Sequence, residues 1–270
     1  MKRFARLIAL VAAAVAGSAL VSVAPTLADG TTQPPAAQDT TATTTRAATT
    51  TTTTAKPEPR KTARVETAFP AAGEFLVSSV QVRAHPSPHA RVIKVMTQFR
   101  PDYRIQEVFA VQTQLGANGR PWYKISIPMR PNGTMGWIPA GTVTLSPTVS
   151  EIRVHRVSRT IDLYWHGKHV WHGRVAIGAR GMPTPLGHYY VAARFVPYQD
   201  PFLGVFAVET SGYSALTEWP GGGWFGIHGT DEPQLLGQAV SHGCIRVANT
   251  TALQLRKYAP LGTPIVITDG

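Results

Sequence analysis

A threonine-rich stretch near the N-terminus limits how much of this 270-residue chain can fold. Thirteen of the 24 residues in 31–54 are threonine, and prolines punctuate the same region. Between residues 29 and 68, Val65 is the one sizeable aliphatic residue, so the segment cannot bury enough apolar surface to offset the entropy of ordering it. We predict a disordered Thr/Pro-rich spacer over residues 29–68, which leaves about 200 residues for folded domains.

The segment before the spacer has the layout of a secretory signal peptide. Three basic residues among the first six precede an apolar run over residues 7–23, and small residues lead up to Ala28. We predict a signal peptide over residues 1–28, cut after Ala28. The alternative is an uncleaved membrane anchor, because roughly 17 to 25 apolar residues can span a bilayer. With either one, we expect the rest of the chain to be exported, and to be periplasmic or associated with the cell wall.

Composition restricts the fold class of the remainder. Charged residues make up only 15% of the chain, which also contains 22 prolines and 24 glycines. Few charges and many turn-forming residues argue against helical bundles and coiled coils, and they favour β-strands joined by turns. The single cysteine excludes an internal disulfide framework and zinc sites that need several cysteines. The sequence therefore predicts a mainly β protein.

The net charge of +11 is divided unevenly along the chain. The signal segment carries +3, the spacer +1, residues 69–147 carry +5 and residues 148–270 carry +2. No run of Lys and Arg is interleaved with stacking aromatic residues, so the sequence argues against nucleic acid as a partner. We expect a weakly basic extracellular surface to meet an anionic cell-wall polymer instead.

Residues 69–147 have the pattern of short strands separated by glycine, proline and asparagine turns, which is typical of a small barrel. Alternating polar and apolar residues predict strands over residues 79–83, 104–108 and 122–127. Segments that resemble the bacterial SH3-like family are residues 82–87, 122–125 and 136–138. The resemblance implies an SH3-like barrel that binds wall polymer, or a packing spacer in which Trp122 and Trp137 are core residues.

Residues 148–270 also have mainly β patterns. A hairpin is predicted from residues 160–165 and 169–177, with its turn at Gly167 and Lys168. One helix is predicted after the cysteine, with Asn249 as its N-cap and Pro260 at its end. We expect a β-sandwich with one or two short helices, one of them packed near the reactive residues.

The residues capable of chemistry cluster around the one cysteine. His228 lies sixteen residues before Cys244, and His242 lies two residues before it. An imidazole can activate a thiol as a nucleophile, and spacing alone favours His242, because residues two apart share one face of a strand. The backbone amides of Gly243 and Cys244 are candidates for an oxyanion hole, and the Gly229 carbonyl is a candidate for orienting the base.

Three other interpretations of this cluster remain open. Cys244 is a buried free thiol in the first, which is a common fate of cysteine. In the second, His228, His242 and Cys244 bind zinc as three ligands with an open water position. In the third, Cys244 forms an intermolecular disulfide.

The motifs around these residues resemble those of the L,D-transpeptidase catalytic domain. The resemblance extends over residues 151–268 and depends most on His-Gly-Thr at 228–230 and Ser-His-Gly-Cys-Ile-Arg at 241–246. Pro-Thr-Pro-Leu-Gly at 183–187 and Gly-Thr-Pro-Ile-Val at 262–266 also match. Many members have Asn at the position of Arg246. No residue within 195–224 is assigned from these motifs.

The resemblance implies a function and a role for each site residue. Cys244 would attack the carbonyl of the third residue of a peptidoglycan stem peptide, and His228 would be the base. His242 would position the pocket with support from Ser241. Arg246 would hold a stem carboxylate, unless it forms a salt bridge or packs through its aliphatic stem. The acyl group would then pass from Cys244 to an amine of a second stem and give a 3→3 cross-link. No metal or organic cofactor would be required.

Two alternative functions stay open at this point. An L,D-carboxypeptidase would use water as the acceptor, and a non-catalytic wall-binding protein would act through its SH3-like domain. The other seven histidines are expected to be solvent-facing or structural. They are His85, His89, His155, His166, His169, His172 and His188.

Overall fold

The computed structural model describes residues 67–218 and 222–270. The predicted signal peptide and nearly all of the predicted spacer lie outside these residues. Sixteen strands and one α-helix form within the described part of the chain, so the prediction of a mainly β protein is confirmed. None of the helices in this part is long and apolar enough to cross a membrane.

The first seven strands form one antiparallel sheet, which we call the middle sheet. They are β1 (Ala71–Phe75), β2 (Ser79–Arg83), β3 (Val92–Thr97), β4 (Val108–Leu115), β5 (Pro121–Ser126), β6 (Met135–Pro139) and β7 (Val143–Pro147). Their order across the sheet is β3-β2-β6-β5-β4-β1-β7. Apolar side chains from all seven strands form its core, including Phe75, Val82, Ile125 and Ile138.

The strand predictions for this region were correct at two places and wrong at one. The strands at 79–83 and 122–127 match β2 and β5 to within one residue. Residues 104–107 are not a strand, because the chain turns at Tyr103, whose φ is +63°, and the Arg100 amide donates to the Arg104 carbonyl across that turn. The SH3-like identity stays a prediction.

The two tryptophans of the middle sheet separate its two predicted roles. Trp122 is 4% exposed and Trp137 is 8% exposed. Both side chains therefore lie in the interior, as the packing interpretation predicts. Binding of wall polymer through this domain stays a prediction, and these two rings do not provide an exposed surface for it.

The remaining nine strands form a second sheet, which we call the catalytic sheet. They are β8 (Ser150–His155), β9 (Thr160–Trp165), β10 (Lys168–Gly178), β11 (Gly187–Phe195), β12 (Ala207–Tyr213), β13 (Trp224–His228), β14 (Ala239–Ser241), β15 (Ile245–Val247) and β16 (Pro264–Thr268). Their order is β14-β10-β15-β13-β12-β11-β16-β8-β9. The long strand β10 pairs with β9 through its first half and with β15 and β14 through its second half, so the sheet closes on itself around one apolar core.

The predicted hairpin between β9 and β10 is confirmed, with the turn one residue earlier than expected. His166 and Gly167 have φ values of +49° and +73°, and Trp165 pairs with Lys168. Two consecutive residues in the left-handed region match the right-handed twist of the strands on either side.

The predicted helix is confirmed as α1 (Asn249–Tyr258). Ala252 and Leu255 are fully buried and pack into the core of the catalytic sheet. The capping prediction was wrong, because the N-cap residue is Ala248 and no side chain caps the helix. The Asn249 side chain instead accepts hydrogen bonds from loops near the reactive residues, as described below.

The two sheets contact each other and belong to one compact unit. The ring of Phe109 stacks on Tyr190 with 5.3 Å between the centroids. Nearby, the buried Arg100 guanidinium donates to a Glu209 carboxylate oxygen at 2.5 Å. Burial beside Glu74 raises the pKa of Glu107 to about 8, so this carboxyl is protonated at neutral pH. These contacts hold β4 and the segment before it against β11 and β12 of the catalytic sheet.

Candidate active site

Two neighbouring parallel strands bring Cys244 close to the strand that carries His228. Ile227 on β13 pairs with Ile245 on β15, and both side chains are buried in the core. His228 pairs in the same way with Arg246, so these two side chains point to the opposite face, and Cys244 directly precedes β15. The Gly226 amide on β13 donates to Cys244 Sγ at 3.4 Å. The thiol thus lies against the strand that carries His228.

The His228 imidazole is held in one tautomer. Its Nδ1 lies 2.6 Å from the Gly229 carbonyl oxygen, and a carbonyl can only accept a hydrogen bond. Nδ1 therefore carries the proton, and Nε2 keeps its lone pair. The predicted role of the Gly229 carbonyl as the group that orients the histidine agrees with this contact.

Burial leaves both members of the pair uncharged. It lowers the pKa of His228 to about 4, and the Arg246 charge acts in the same direction, against the hydrogen bond to Gly229. Burial also raises the pKa of the Cys244 thiol, against the Gly226 hydrogen bond and the Arg246 charge. The resting state at neutral pH is therefore a thiol beside a neutral imidazole. The imidazole can act as a general base, but it does not hold a preformed thiolate.

The turn before Cys244 is closed by Ser241. The Gly243 amide donates to Ser241 Oγ at 3.2 Å, and the Ser241 hydroxyl donates to the Cys244 carbonyl at 2.5 Å. Gly243 has a φ of +116°, a conformation that residues with a side chain rarely adopt. The predicted use of the Gly243 amide in an oxyanion hole was wrong for this conformation, because Ser241 already accepts from that amide. The Cys244 amide stays a predicted donor.

Thr184 fastens the same turn from the other side. Its hydroxyl donates to the Gly243 carbonyl at 3.0 Å and accepts from the Gly178 amide at 2.9 Å. The side chain is fully buried. The Pro-Thr-Pro-Leu-Gly motif therefore supplies a hydroxyl that connects the end of β10 to the turn carrying Cys244.

His242 lies outside the strands, so the argument from its two-residue spacing to Cys244 does not apply. Residues 242–244 form the connection between β14 and β15 rather than a strand, and the His242 side chain is exposed. The expectation that His242 and Cys244 share a strand face was therefore wrong. In the part of the chain that the structure describes, His228, His242 and Cys244 are not a group whose ligand atoms converge on a metal position.

Arg246 is 6% exposed and lies on the same face as His228. Its NH1 group donates to Glu232 at 2.7 Å, and its guanidinium carbon lies 4.4 Å from the centroid of the Phe202 ring. The salt-bridge alternative therefore describes its contacts, although the arginine is buried rather than on the surface. Its binding of a stem carboxylate stays a prediction, and one of its nitrogen groups is already engaged.

Three structural residues near the site were not assigned from the sequence. Phe202 packs against His228 with 5.8 Å between ring centroids, which provides a wall from within residues 195–224. Asn249 Oδ1 accepts from the Val205 and Thr230 amides at 3.2 and 3.3 Å. The sequence signal for Asn249 was read as a helix cap. Thr184 was visible within its motif, but nothing in the motif indicates its partner.

Comparison with known proteins matches residues 150–267 to the family model described as YkuD, L,D-transpeptidase catalytic domain. YkuD of Bacillus licheniformis, whose name assigns it to the L,D-transpeptidases, is 33% identical over 117 residues. This match covers 43% of the present chain and 64% of that relative. YkuD of Bacillus subtilis is also 33% identical, over 34% of the present chain and 50% of its own length.

Solved structures of similar proteins include an L,D-transpeptidase from Mycobacterium tuberculosis H37Rv. It is 14% identical, with a TM-score of 0.41 over 60% of the present chain and 90% of that chain. The family model covers a region that contains every candidate reactive residue described above. Residues 150–267 therefore belong to the L,D-transpeptidase catalytic domain family.

Proposed function

We propose that this protein is a peptidoglycan L,D-transpeptidase with Cys244 as its nucleophile and His228 as its general base. The observation that supports it most is the fixed tautomer of His228, whose Nε2 keeps its lone pair while Cys244 lies against the same strand. The family assignment of residues 150–267 supplies the reaction class. The curated relatives are covered only in part, so the acceptor and the cross-link type belong to this proposal.

The first step forms a thioester. As Cys244 Sγ attacks the carbonyl carbon of the diamino acid at the third stem position, the thiol proton moves to His228 Nε2. The tetrahedral intermediate collapses when the bond to the terminal D-alanine breaks. The imidazolium returns its proton to the leaving amine nitrogen. Because both groups start uncharged, proton transfer accompanies the attack rather than preceding it.

The second step transfers the acyl group to an amine. The acceptor amine of another stem gives a proton to His228 Nε2 and attacks the thioester carbonyl, which forms the new amide and releases the thiolate. The imidazolium then protonates that thiolate. The product is a 3→3 cross-link, and the chemistry uses no cofactor.

The surroundings of the pair support this chemistry. The Arg246 charge and the Gly226 amide both favour a thiolate on Cys244, and they act against the cost of burial. Ser241 and Thr184 fix the turn so that the sulfur keeps its place against β13. Export to the cell wall is part of the proposal, since the substrate lies outside the cytoplasm.

Acylation by a carbapenem tests the nucleophile. Intact-protein mass spectrometry is expected to show one drug mass added, and peptide mapping is expected to locate it on Cys244. Cys244→Ala is expected to abolish the label, and to lower turnover of a stem peptide by at least about 10⁴-fold. Absence of label on the folded wild-type protein would count against the proposal.

A muropeptide assay tests the acceptor. Disaccharide-tetrapeptides are expected to yield dimers, whereas shortened stems without dimers would show that water is the acceptor. Retention of wall remodelling by Cys244→Ala would instead support the wall-binding function. His89→Ala is the control variant, because His89 is an exposed histidine on a turn within residues 69–147, which we call the middle domain.

A further inference from the structure

A cleft of about 650 Å³ lies between a loop of residues 69–147 and loops of the catalytic sheet. Its lining residues are Arg130, Pro131, Asn132, Pro183, Pro185, Tyr213, Ser214 and Ala215. Two of them adjoin the turn before Cys244, since a Cβ placed on Gly243 would lie 3.0 Å from Ser214 Cβ and 3.9 Å from the Pro183 oxygen. The cleft therefore lies beside that turn.

Asn132 binds the end of strand β12 as a neighbouring strand would. Its Nδ2 donates to the Tyr213 carbonyl at 2.8 Å, and its Oδ1 accepts from the Tyr213 amide at 2.9 Å. The same Nδ2 lies 3.3 Å from the Tyr189 hydroxyl. One side chain of the middle domain thus fixes both backbone groups of a residue that lines the cleft.

Arg130 holds the segment that follows β12. Its NH2 donates to the carbonyls of Ser214 at 3.0 Å and Leu216 at 3.3 Å, and its NH1 donates to Gly222 at 2.9 Å. Its guanidinium carbon lies 4.5 Å from the centroid of the Tyr213 ring. A Cβ on Gly223 would approach NH2 to 2.7 Å, so glycine leaves room for the arginine here.

We propose that residues 130–132 of the middle domain form one wall of the stem-peptide site, with Arg130 and Asn132 as positioning residues. The residues that line the cleft include a cation and no carboxylate, which suits an acidic peptide with a free carboxylate. This inference rests on the proposed transpeptidase function and assigns the middle domain a part in it.

The test separates substrate binding from chemistry and from folding. Asn132→Ala and Arg130→Ala are expected to raise KM for the stem peptide about tenfold, the equivalent of about 1.4 kcal/mol, with kcat changed less than about threefold. Asn132→Asp keeps an acceptor for the Tyr213 amide and loses the donor, so it is expected to fall between wild type and Asn132→Ala. Arg120→Ala, an exposed arginine on the turn before β5, is the control.

The outcomes distinguish this inference from the proposed function. Unchanged KM in both variants, with normal acylation of Cys244, would overturn the composite site and leave the transpeptidase function standing. A lower unfolding temperature with unchanged KM would show that the contacts serve only stability, and it would also overturn the inference. Failure of wild-type protein to turn over any stem peptide would count against the function itself.

A second and independent observation concerns three histidines around Asp162. His172 is directly opposite Asp162 across β9 and β10, and its Nδ1 lies 2.8 Å from Asp162 Oδ1. His169 Nε2 lies 2.7 Å from the same oxygen, and His155 Nε2 lies 3.4 Å from Oδ2. The ligand atoms of Asp162, His169 and His172 all lie within 4.8 Å of one another.

The groups around this cluster hold the Asp162 carboxylate in one orientation. Both His169 and His172 contact its Oδ1. His155 contacts the second oxygen, and its Nδ1 lies 3.5 Å from the Thr268 hydroxyl. Arg153 is paired with Asp162 across the strands, yet its guanidinium donates to Glu151 at 2.8 Å.

We propose that Asp162, His169 and His172 form a site for a divalent transition metal such as Zn²⁺, apart from the proposed catalytic pair. Two imidazoles and a carboxylate are ligands that zinc prefers, and three protein ligands leave a position for water. Bonds of about 2.0–2.1 Å would place the ligand atoms about 3.3 Å apart, so each imidazole nitrogen would move about half an ångström away from Asp162 Oδ1 on binding. Each imidazole moves its proton to its other nitrogen.

Calorimetry with Zn²⁺ on the full chain, purified without a histidine tag, tests this site. One Zn²⁺ per chain and a higher unfolding temperature are expected. His172→Ala and His169→Ala are expected to weaken binding more than the roughly tenfold that loss of an outer partner costs, and His155→Ala, which removes the partner of Asp162 Oδ2, is expected to weaken it about tenfold. His89→Ala and Cys244→Ser are expected to bind as wild type does. Absence of Zn²⁺ binding by the wild-type protein would overturn the proposal. So would binding as tight as wild type by the His169 and His172 variants.

Discussion

Two regions of the catalytic sheet place histidines beside a reactive partner, and they differ in their access to water. His228 is 3% exposed and donates to a backbone carbonyl, whereas the side chains of His169 and His172 are 48% and 56% exposed and contact a carboxylate. The buried site contains a neutral imidazole at neutral pH. The exposed site contains an ionised carboxylate with imidazole groups around it.

The contrast teaches that the surroundings, rather than the residue type, decide what a histidine can do. A dry imidazole with one tautomer can accept a proton from a neighbouring thiol. A solvent-exposed pair of imidazoles around one carboxylate can offer lone pairs to a cation once each ring moves its proton to the outer nitrogen, and it tolerates substitution at little cost in stability. Four predictions test this contrast, beginning with the largest expected effect.

Replacing His228 is expected to have the largest effect. His228→Ala is expected to lower kcat/KM for stem-peptide acyl transfer by about 10²–10⁴-fold, because general-base catalysis contributes that much. His242→Ala is expected to lower it by less than about tenfold, since general-base catalysis is assigned to His228. Steady-state assays with purified stems check both variants. A larger loss in His242→Ala than in His228→Ala would show that His242 is the base, as the spacing argument favours.

Acidification is expected to destabilise the folded protein through the buried His228. In the unfolded chain His228 is protonated near its ordinary pKa of 6.5, whereas in the folded protein its pKa is about 4. The free energy of unfolding therefore falls as pH drops through this window, by up to about 1.4 kcal/mol per pH unit. Urea unfolding at several pH values checks this slope. His228→Gln is expected to reduce the slope, and His89→Gln is expected to leave it unchanged.

Removing the Thr184 hydroxyl is expected to have an intermediate effect. Thr184→Val leaves the Gly178 amide and the Gly243 carbonyl without their buried partner. The expected loss is about 1–3 kcal/mol in the free energy of unfolding, with slower acylation of Cys244. Thr184→Ser keeps the hydroxyl and is expected to retain most of the stability. A Val variant as stable as wild type would show that the turn is fixed by other contacts.

The smallest effect is expected at the exposed cluster in metal-free protein. Asp162→Asn removes the charge that the imidazoles face, yet the cluster is open to solvent. The change in the free energy of unfolding at pH 7 is expected to stay below about 1 kcal/mol. Thermal unfolding in the presence of a chelator checks this. A larger loss would show that the network is structural and would weaken the contrast between the two regions.

Candidate site residues could be predicted from the sequence where a motif contains the chemistry. Cys244, His228 and the Gly229 carbonyl were predicted from the sequence because a nucleophile, a base and an orienting group require particular residue types. The prediction failed where a distant partner decides the role. The Gly243 amide was assigned to an oxyanion hole, yet Ser241 accepts from it, and Asn249 was assigned to a helix cap, yet it binds two loops.

The fold shows the same division. Alternation and turn residues located the hairpin of β9 and β10 and the helix α1, because those signals act over a few residues. The strand predicted at 104–108 failed, since Arg100 is buried in an ion pair with Glu209, more than one hundred residues away. Residues 195–224 remained unassigned for a similar reason, because Phe202 gains its place only by packing on His228.

By itself, the sequence determined the mainly β class, and it identified the candidate reactive residues. These depend on composition, short periodicities and the chemistry of particular side chains. The tertiary structure decided the protonation state of the pair, the partners of Thr184 and Asn132, and the convergence of three histidines on Asp162. Those properties depend on burial and on contacts between strands far apart in the chain, and no local pattern encodes such distances.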